Sequence, residues 1–231
     1  MIGTIEERQS LINTCLEMNA TGLNSGSAGN VSLKIKEGIL ITPSGMAYSK
    51  IRPEDIVFMD EDDKYYGNLL PSSEWHFHCA IQKARSDINV VLHAHSPWSM
   101  IVACARKDIP AIHYMIGVAK TNVIKCSPYE PFGSKELSEV ALKALGDASA
   151  CLLGNHGIIT TGKTMEEALA VMREVEHLAQ IYVLSQNIGG AIALSDADME
   201  DIHHRFKTYG KQLDQIDGDE KLAVIPPQKG G

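Results

Sequence analysis

Val31-Ser32-Leu33-Lys34-Ile35-Lys36-Glu37-Gly38-Ile39-Leu40-Ile41-Thr42 holds two apolar-rich runs separated by a short turn containing Gly38. The first run alternates apolar and polar residues, the period of a half-buried strand, and the second reads as its partner. A connection this short joins antiparallel neighbours, because parallel strands need a crossover of roughly a dozen residues or more. Ile56-Val57-Phe58-Met59-Asp60 reads as a third strand. Helical patterns are interleaved further along. The expectation is an α/β fold in which helices layer on a mixed, largely antiparallel sheet, and not a doubly wound parallel one.

Outward from the hairpin, Thr4-x-x-Glu7 is a capping box before Leu11, Ile12, Cys15 and Leu16, so a first helix runs to Thr21-Gly22. Pro71-Ser72-Ser73-Glu74 opens a second helix to about Arg85, with serines at the cap and the acid in the first turn. Asn89-Val90-Val91-Leu92 is a buried strand. Further helices are expected from Ser96-Pro97 to about Arg106, from Ser134 to Leu145, from the Thr164-x-x-Glu167 capping box to about Gln186, and from Ser195 to about Leu213. Asn122-Val123-Ile124 is a short strand, and two strands flank His156. No repeat or long linker divides the chain, so residues 1–213 are expected to form one domain, with residues 214–231 a flexible tail.

The chain has 231 residues and a net charge of -8 with no basic block. That argues against nucleic acid as a partner, since phosphate backbones require clustered Lys and Arg. A small phosphorylated substrate needs only one local pocket. No apolar run approaches the ~18 residues of a membrane helix. The charged start, Met1 to Arg8, lacks the apolar core of a signal peptide. Five cysteines, Cys15, Cys79, Cys104, Cys126 and Cys151, have no metal-type spacing and read as reduced buried thiols, so a cytoplasmic location is expected.

The chemistry-bearing signal is His93-Ala94-His95, at the end of the Asn89–Leu92 strand. Residues two apart on a strand share a face, so both imidazoles can reach one divalent ion. His156 ends another apolar run, Ala150 to Asn155. Three imidazoles with an open fourth position describe a catalytic zinc site better than a structural one. A merely polar strand end is the alternative for His93 and His95 alone.

Three polar loops, Gly26-Ser27-Ala28-Gly29-Asn30, Thr42-Pro43-Ser44-Gly45 and Ser72-Ser73, could form one phosphate site from backbone N–H groups and a helix N-terminus. Each alone also reads as an ordinary turn or cap. Glu74 follows the serines, so it would lie within reach of the same substrate as ligand or general acid/base. It could equally be a first-turn acid favoured by the helix dipole, or pair with His78 one turn on. Gly157-Ile158-Ile159-Thr160-Thr161-Gly162-Lys163-Thr164 satisfies the P-loop pattern, making a nucleotide-binding protein the alternative of a different class. Its β-branched interior favours extended structure, and too little chain follows for a parallel nucleotide-binding sheet. His76, His78, His113, His177, His203 and His204 are expected mostly at surface or packing positions.

Taken together, these stretches resemble the class II aldolase/adducin family, nearest to its L-fuculose-1-phosphate aldolase branch. The resemblance runs from about Leu11 to Gly210. It is carried by Gly22 to Ser32, Ile41 to Gly45, Leu70 to Glu74, His93-Ala94-His95, Ile112-His113-Tyr114-Met115-Ile116, His156-Gly157 and Phe206-Lys207-Thr208-Tyr209-Gly210. It implies a three-layer α/β/α sandwich, usually a homotetramer of C4 symmetry. It implies zinc on His93, His95 and His156, with Glu74 as a fourth ligand when no substrate is bound. Asn30, Ser44, Gly45, Ser72 and Ser73 would hold phosphate. Glu74 would act as acid/base, and Tyr114 and Tyr209 would reach the site from a neighbouring subunit. The implied reaction cleaves a ketose 1-phosphate to dihydroxyacetone phosphate and an aldehyde. Relatives acting on 5-deoxy- or 5-methylthio-ribulose 1-phosphate, or epimerising a sugar phosphate at C4, are alternatives. The epimerases resemble this chain less, having Asp where it has Glu74 and lacking the Tyr114 motif.

Overall fold

The computed structural model describes residues 2–210. The expected domain end at residue 213 and tail at 214–231 lie outside the described residues. In chain order the elements are α1 (Ile5–Ala20), β1 (Asn30–Ile35), β2 (Gly38–Ile41), β3 (Val57–Met59), β4 (Tyr65–Tyr66), α2 (Trp75–Ala84), β5 (Val90–Ala94), α3 (Pro97–Cys104), β6 (Ile109–Pro110), β7 (Val123–Ile124), α4 (Lys135–Leu145), β8 (Ala150–Leu153), β9 (Gly157–Gly162), α5 (Met165–Ser185) and α6 (Asp196–Phe206).

The hairpin behaves as its sequence predicts. Ile35 pairs with Gly38 across a tight turn, and β1 and β2 run antiparallel. Seven strands form one sheet in the order β4-β3-β2-β1-β5-β9-β8. Every ladder between neighbours is antiparallel, so the sheet is less mixed than expected. A parallel contact survives as the isolated Cys126–Leu152 bridge, where the segment after β7 meets the edge strand β8. β6 and β7 form a separate two-stranded ribbon.

Alternation along β5 builds the three layers. Val90, Leu92 and Ala94 join the core under α1, α3 and α5, while Val91 joins the core under α2 and α4. Leu92 and Ile159, both fully buried, each contribute roughly 1.5–3 kcal/mol by leaving water. The α/β/α sandwich is therefore fixed by the period-two pattern of its central strands.

Local signals hold with small shifts. Thr4 and Glu7 exchange both bonds of the capping box, at 3.1 and 2.7 Å. At the start of α5, Thr164 accepts from the Glu167 N–H, but the Glu167 carboxylate takes the N–H of Lys163 and not that of Thr164. Tyr114–Ala119 forms a 3₁₀ helix that no cap or periodicity announced. All five cysteines are free; Cys104 is exposed and Cys126 half-buried, unlike the three core thiols. Among the described residues, no helix is long and apolar enough to cross a membrane.

The P-loop reading of residues 157–164 fails here. Gly157–Gly162 is a buried strand between β5 and β8, with ladders on both sides. Its backbone groups are committed to the sheet and cannot cradle a phosphate.

Candidate active site

His93 lies in β5 and His95 just beyond it, while His156 sits in the turn between β8 and β9. Asn155, in the left-handed region at φ 54°, turns that chain back. Gly157 makes the convergence possible. A Cβ there would collide with the Ala94 carbonyl oxygen and lie 3.1–3.2 Å from the rings of His95 and His93. One ring nitrogen of each histidine lies within 4.8 Å of the others.

Glu74 completes the group from the opposite side. It is the N-cap residue of α2, not a first-turn residue, and no side chain caps that end. Ser72 and Ser73 precede the helix, and the Ser72 hydroxyl accepts the Glu74 N–H at 3.3 Å. The Glu74 side chain turns to the histidines: Oε2 is 3.2 Å from His93 Nε2, and Oε1 is 3.2 Å from His156 Nε2.

His93 donates Nδ1–H to the Ile158 carbonyl at 3.0 Å, which turns Nε2 toward Glu74 and the other two rings. Buried His93 Nε2, His95 Nε2 and Glu74 Oε1 have no hydrogen-bond partner. Buried polar atoms are nearly always satisfied, so these converging, unpartnered ring nitrogens and carboxylate oxygen mark a site that fits a cation. Burial, and then the charge of His93, lower the pKa of His95; burial foremost brings that of His156 down to about 4. Neutral imidazole is the ligand form. For Glu74, burial pushes upward but is outweighed by the His93 and His156 charges and by hydrogen bonds, which hold the carboxyl well below its usual range.

A cavity of about 360 Å³ opens in front of this cluster. The three polar loops meet in it: Gly29 and Asn30, Ser44 and Gly45, and Ser72 and Ser73 all line its wall. Two backbone bonds bring the last two together, Ser44 N–H to Leu70 O at 3.0 Å and Ser72 N–H to Thr42 O at 2.9 Å. Those N–H groups are thereby spent, and the serine hydroxyls and the Gly45 and Ser73 N–H groups remain as donors. Among the described residues, no Lys or Arg lines the cavity. Gly29, at φ 73°, packs so closely on β5 that a Cβ would collide with the His93 carbonyl.

The Asn30 side chain is already engaged. Its Nδ2 donates to Glu74 Oε2 at 3.0 Å, and its Oδ1 lies 2.5 Å from His78 Nε2. His78 is therefore a fully buried polar group and does not pair with Glu74 directly. Tyr114 and Tyr209 are 48% and 60% exposed, and neither lines the cavity. Four lining residues had no sequence signal: Tyr129, Glu130, Phe132 and Asn155. The first three lie in a loop with no periodicity. Only the exposure of Phe132, 73%, distinguishes it, and that is invisible in sequence.

The chain matches the family model described as Class II Aldolase and Adducin N-terminal domain over residues 9–183. It is 44% identical over 208 residues to the L-fuculose phosphate aldolase of Escherichia coli, covering 90% of this chain and 97% of that one. It is 43% identical over 203 residues to the 5-methylthioribulose-1-phosphate/5-deoxyribulose-1-phosphate aldolase of Rhodospirillum rubrum, covering 88% and 92%. A solved structure described as L-fuculose 1-phosphate aldolase matches with a TM-score of 0.86 and 37% identity, covering 89% of this chain and 98% of that one. Family model, relatives and fold agree with the histidine cluster, and the chain belongs to the class II aldolase and adducin family.

Proposed function

We propose that this lyase is a zinc-dependent aldolase that cleaves a ketose 1-phosphate, such as L-fuculose 1-phosphate, between C3 and C4 to dihydroxyacetone phosphate and a small aldehyde. The observation that carries the reading is Glu74, wedged between His93 and His156 at the floor of a cavity walled by serine and glycine loops. Held by His93, His95 and His156, with Glu74 as a fourth ligand at rest, Zn²⁺ would supply Lewis-acid stabilisation of the charge that develops on the dihydroxyacetone phosphate half.

The chain's own groups do the rest. The hydroxyls of Ser44, Ser72 and Ser73, the Gly45 N–H and the backbone at Asn30 hold the phosphate at the start of α2, where the helix dipole favours an anion. In cleavage the O4 proton leaves as the C4 carbonyl forms, the C3–C4 electron pair stays on C3, and C3 gains a proton. Glu74 carries the C3 proton. Tyr114 of a neighbouring subunit handles the O4 proton, with Tyr209 beside it. Both tyrosines are exposed and stand off their own chain's cavity, which supports a homotetramer with shared sites. A cytoplasmic location goes with this reading.

The two groups of relatives stand at 44% and 43% identity, so a 5-deoxy- or 5-methylthio-ribulose 1-phosphate is the second reading for the substrate. A panel of ketose 1-phosphates, with a pentulose 5-phosphate as the epimerase control, scored for release of dihydroxyacetone phosphate, tests both. Release from at least one 1-phosphate supports the aldolase, and the fastest names its aldehyde. Release from none, with epimerisation of the control, overturns it.

A further inference from the structure

The polar contacts behind Glu74 continue through the interior between α2 and the sheet. Asn30, Ser32, His78 and Gln82 are all at most 3% exposed. The links are Glu74 Oε2 to Asn30 Nδ2 at 3.0 Å, Asn30 Oδ1 to His78 Nε2 at 2.5 Å, His78 Nδ1 to Ser32 Oγ at 2.7 Å, and Ser32 Oγ to Gln82 Nε2 at 2.9 Å.

The direction of every bond follows from its ends. An ionised carboxylate only accepts, so Asn30 turns its N–H to Glu74 and its oxygen to His78. An amide oxygen also only accepts, so His78 carries its proton on Nε2. Nδ1 then holds a lone pair, and the Ser32 hydroxyl donates to it. The Ser32 oxygen is left to accept from Gln82. The far end is fixed independently, because Gln82 Nε2 also donates to the Asn89 carbonyl at 3.3 Å, which prevents the amide from presenting its oxygen there. Burial pushes the His78 pKa down to about 3, so the ring holds the single proton this order requires.

We infer that His78 is a positioning residue for Glu74: locked as the Nε2–H tautomer by Ser32 and Gln82, it holds the Asn30 amide with N–H, not oxygen, facing Glu74. Without that lock the amide can rotate and set two acceptors against each other. Aligned donors also polarise one another along the chain, which strengthens the bond that ends on the carboxylate. The effect on turnover rests on the aldolase reading, whereas the tautomer does not.

Nitrogen NMR of histidine-labelled, zinc-loaded full-length protein reads the tautomer directly, with His78→Gln identifying the signal. A pyridine-type Nδ1 and a pyrrole-type Nε2 are expected; a protonated Nδ1 or an averaged ring overturns the inference. In kinetics, His78→Leu should lower kcat about tenfold, the worth of one hydrogen bond to a charged group, with KM and zinc content near wild type. His78→Gln, which keeps a donor and an acceptor, should restore most of it. A folded, zinc-loaded Leu variant with unchanged kcat overturns the inference. Should that variant not fold, Ser32→Ala releases the lock with a smaller change. It should mix the tautomers and lower kcat severalfold, and no change in either overturns the inference. A wild-type protein that cleaves no ketose phosphate, yet shows the Nε2–H ring, would fail the aldolase reading and leave the lock standing.

Discussion

Glu74 Oε2 lies 3.2 Å from His93 Nε2, and the other ring nitrogen of His93 is held by the Ile158 carbonyl, so the ring is fixed with Nε2 against the carboxylate. A carboxylate oxygen and a ring nitrogen this close call for a positive charge at the contact, either a ring proton or a metal ion. The same carboxylate meets His156 with its second oxygen. Burial pushes its pKa up, but the His93 and His156 charges and hydrogen bonds outweigh it and favour the ionised form, the form in which a carboxylate can bind a cation.

Glu74→Gln keeps the shape and removes the titrating oxygen. The expected loss is about 10²–10⁴ in kcat, the usual worth of a positioned acid or base. Exchange of the C3 proton of dihydroxyacetone phosphate with solvent should fall in parallel. Exchange at the wild-type rate would move the role to another residue.

Gly157 carries the close approach of β9 to β5 and to the rings of His93 and His95. Gly157→Ala forces a Cβ against the Ala94 carbonyl and the rings of His93 and His95. A stability loss of about 1–3 kcal/mol, the usual cost of overpacking, is expected together with weaker zinc binding. Unaltered zinc affinity in equilibrium titration would show that the rings are free to move aside.

Among the described residues, the cavity wall offers hydroxyls and backbone N–H groups but no cationic side chain. Unphosphorylated ketoses should be very poor substrates, and inorganic phosphate should compete weakly with substrate. Comparable turnover of a free sugar and its 1-phosphate would reduce these loops to turns.

Shared sites can be tested by mixing. Tyr114→Phe and His95→Ala, each inactive, should regain activity when their subunits exchange, because some sites then combine Tyr114 with an intact metal cluster. A mixture as inactive as its parents, or a monomeric mass in solution, counts against sharing.

Much of this was legible in the chain because it is local. The Val31–Thr42 hairpin fixed the antiparallel sense, and alternation along β5 separated the two core faces. The His93-Ala94-His95 spacing was legible for the same reason. Contacts across the fold were not. Asn30 stands opposite His93 only because β1 pairs with β5 in that register, and nothing near Asn30 in sequence encodes it. Likewise the local start signal did not show that Glu74 is the N-cap of α2, with its side chain turned across the fold to His93 and His156.

The central claim is that one divalent ion, held by His93, His95 and His156, is required for release of dihydroxyacetone phosphate. Its most direct test is to strip the protein with chelator, titrate Zn²⁺ back, and follow both bound metal and product, with His95→Ala in parallel. Activity should vanish on stripping and return in proportion to bound zinc, reaching a plateau near about one ion per chain. The His95→Ala protein should stay folded, bind little zinc and remain inactive. Full release of dihydroxyacetone phosphate by the metal-free protein would contradict the account.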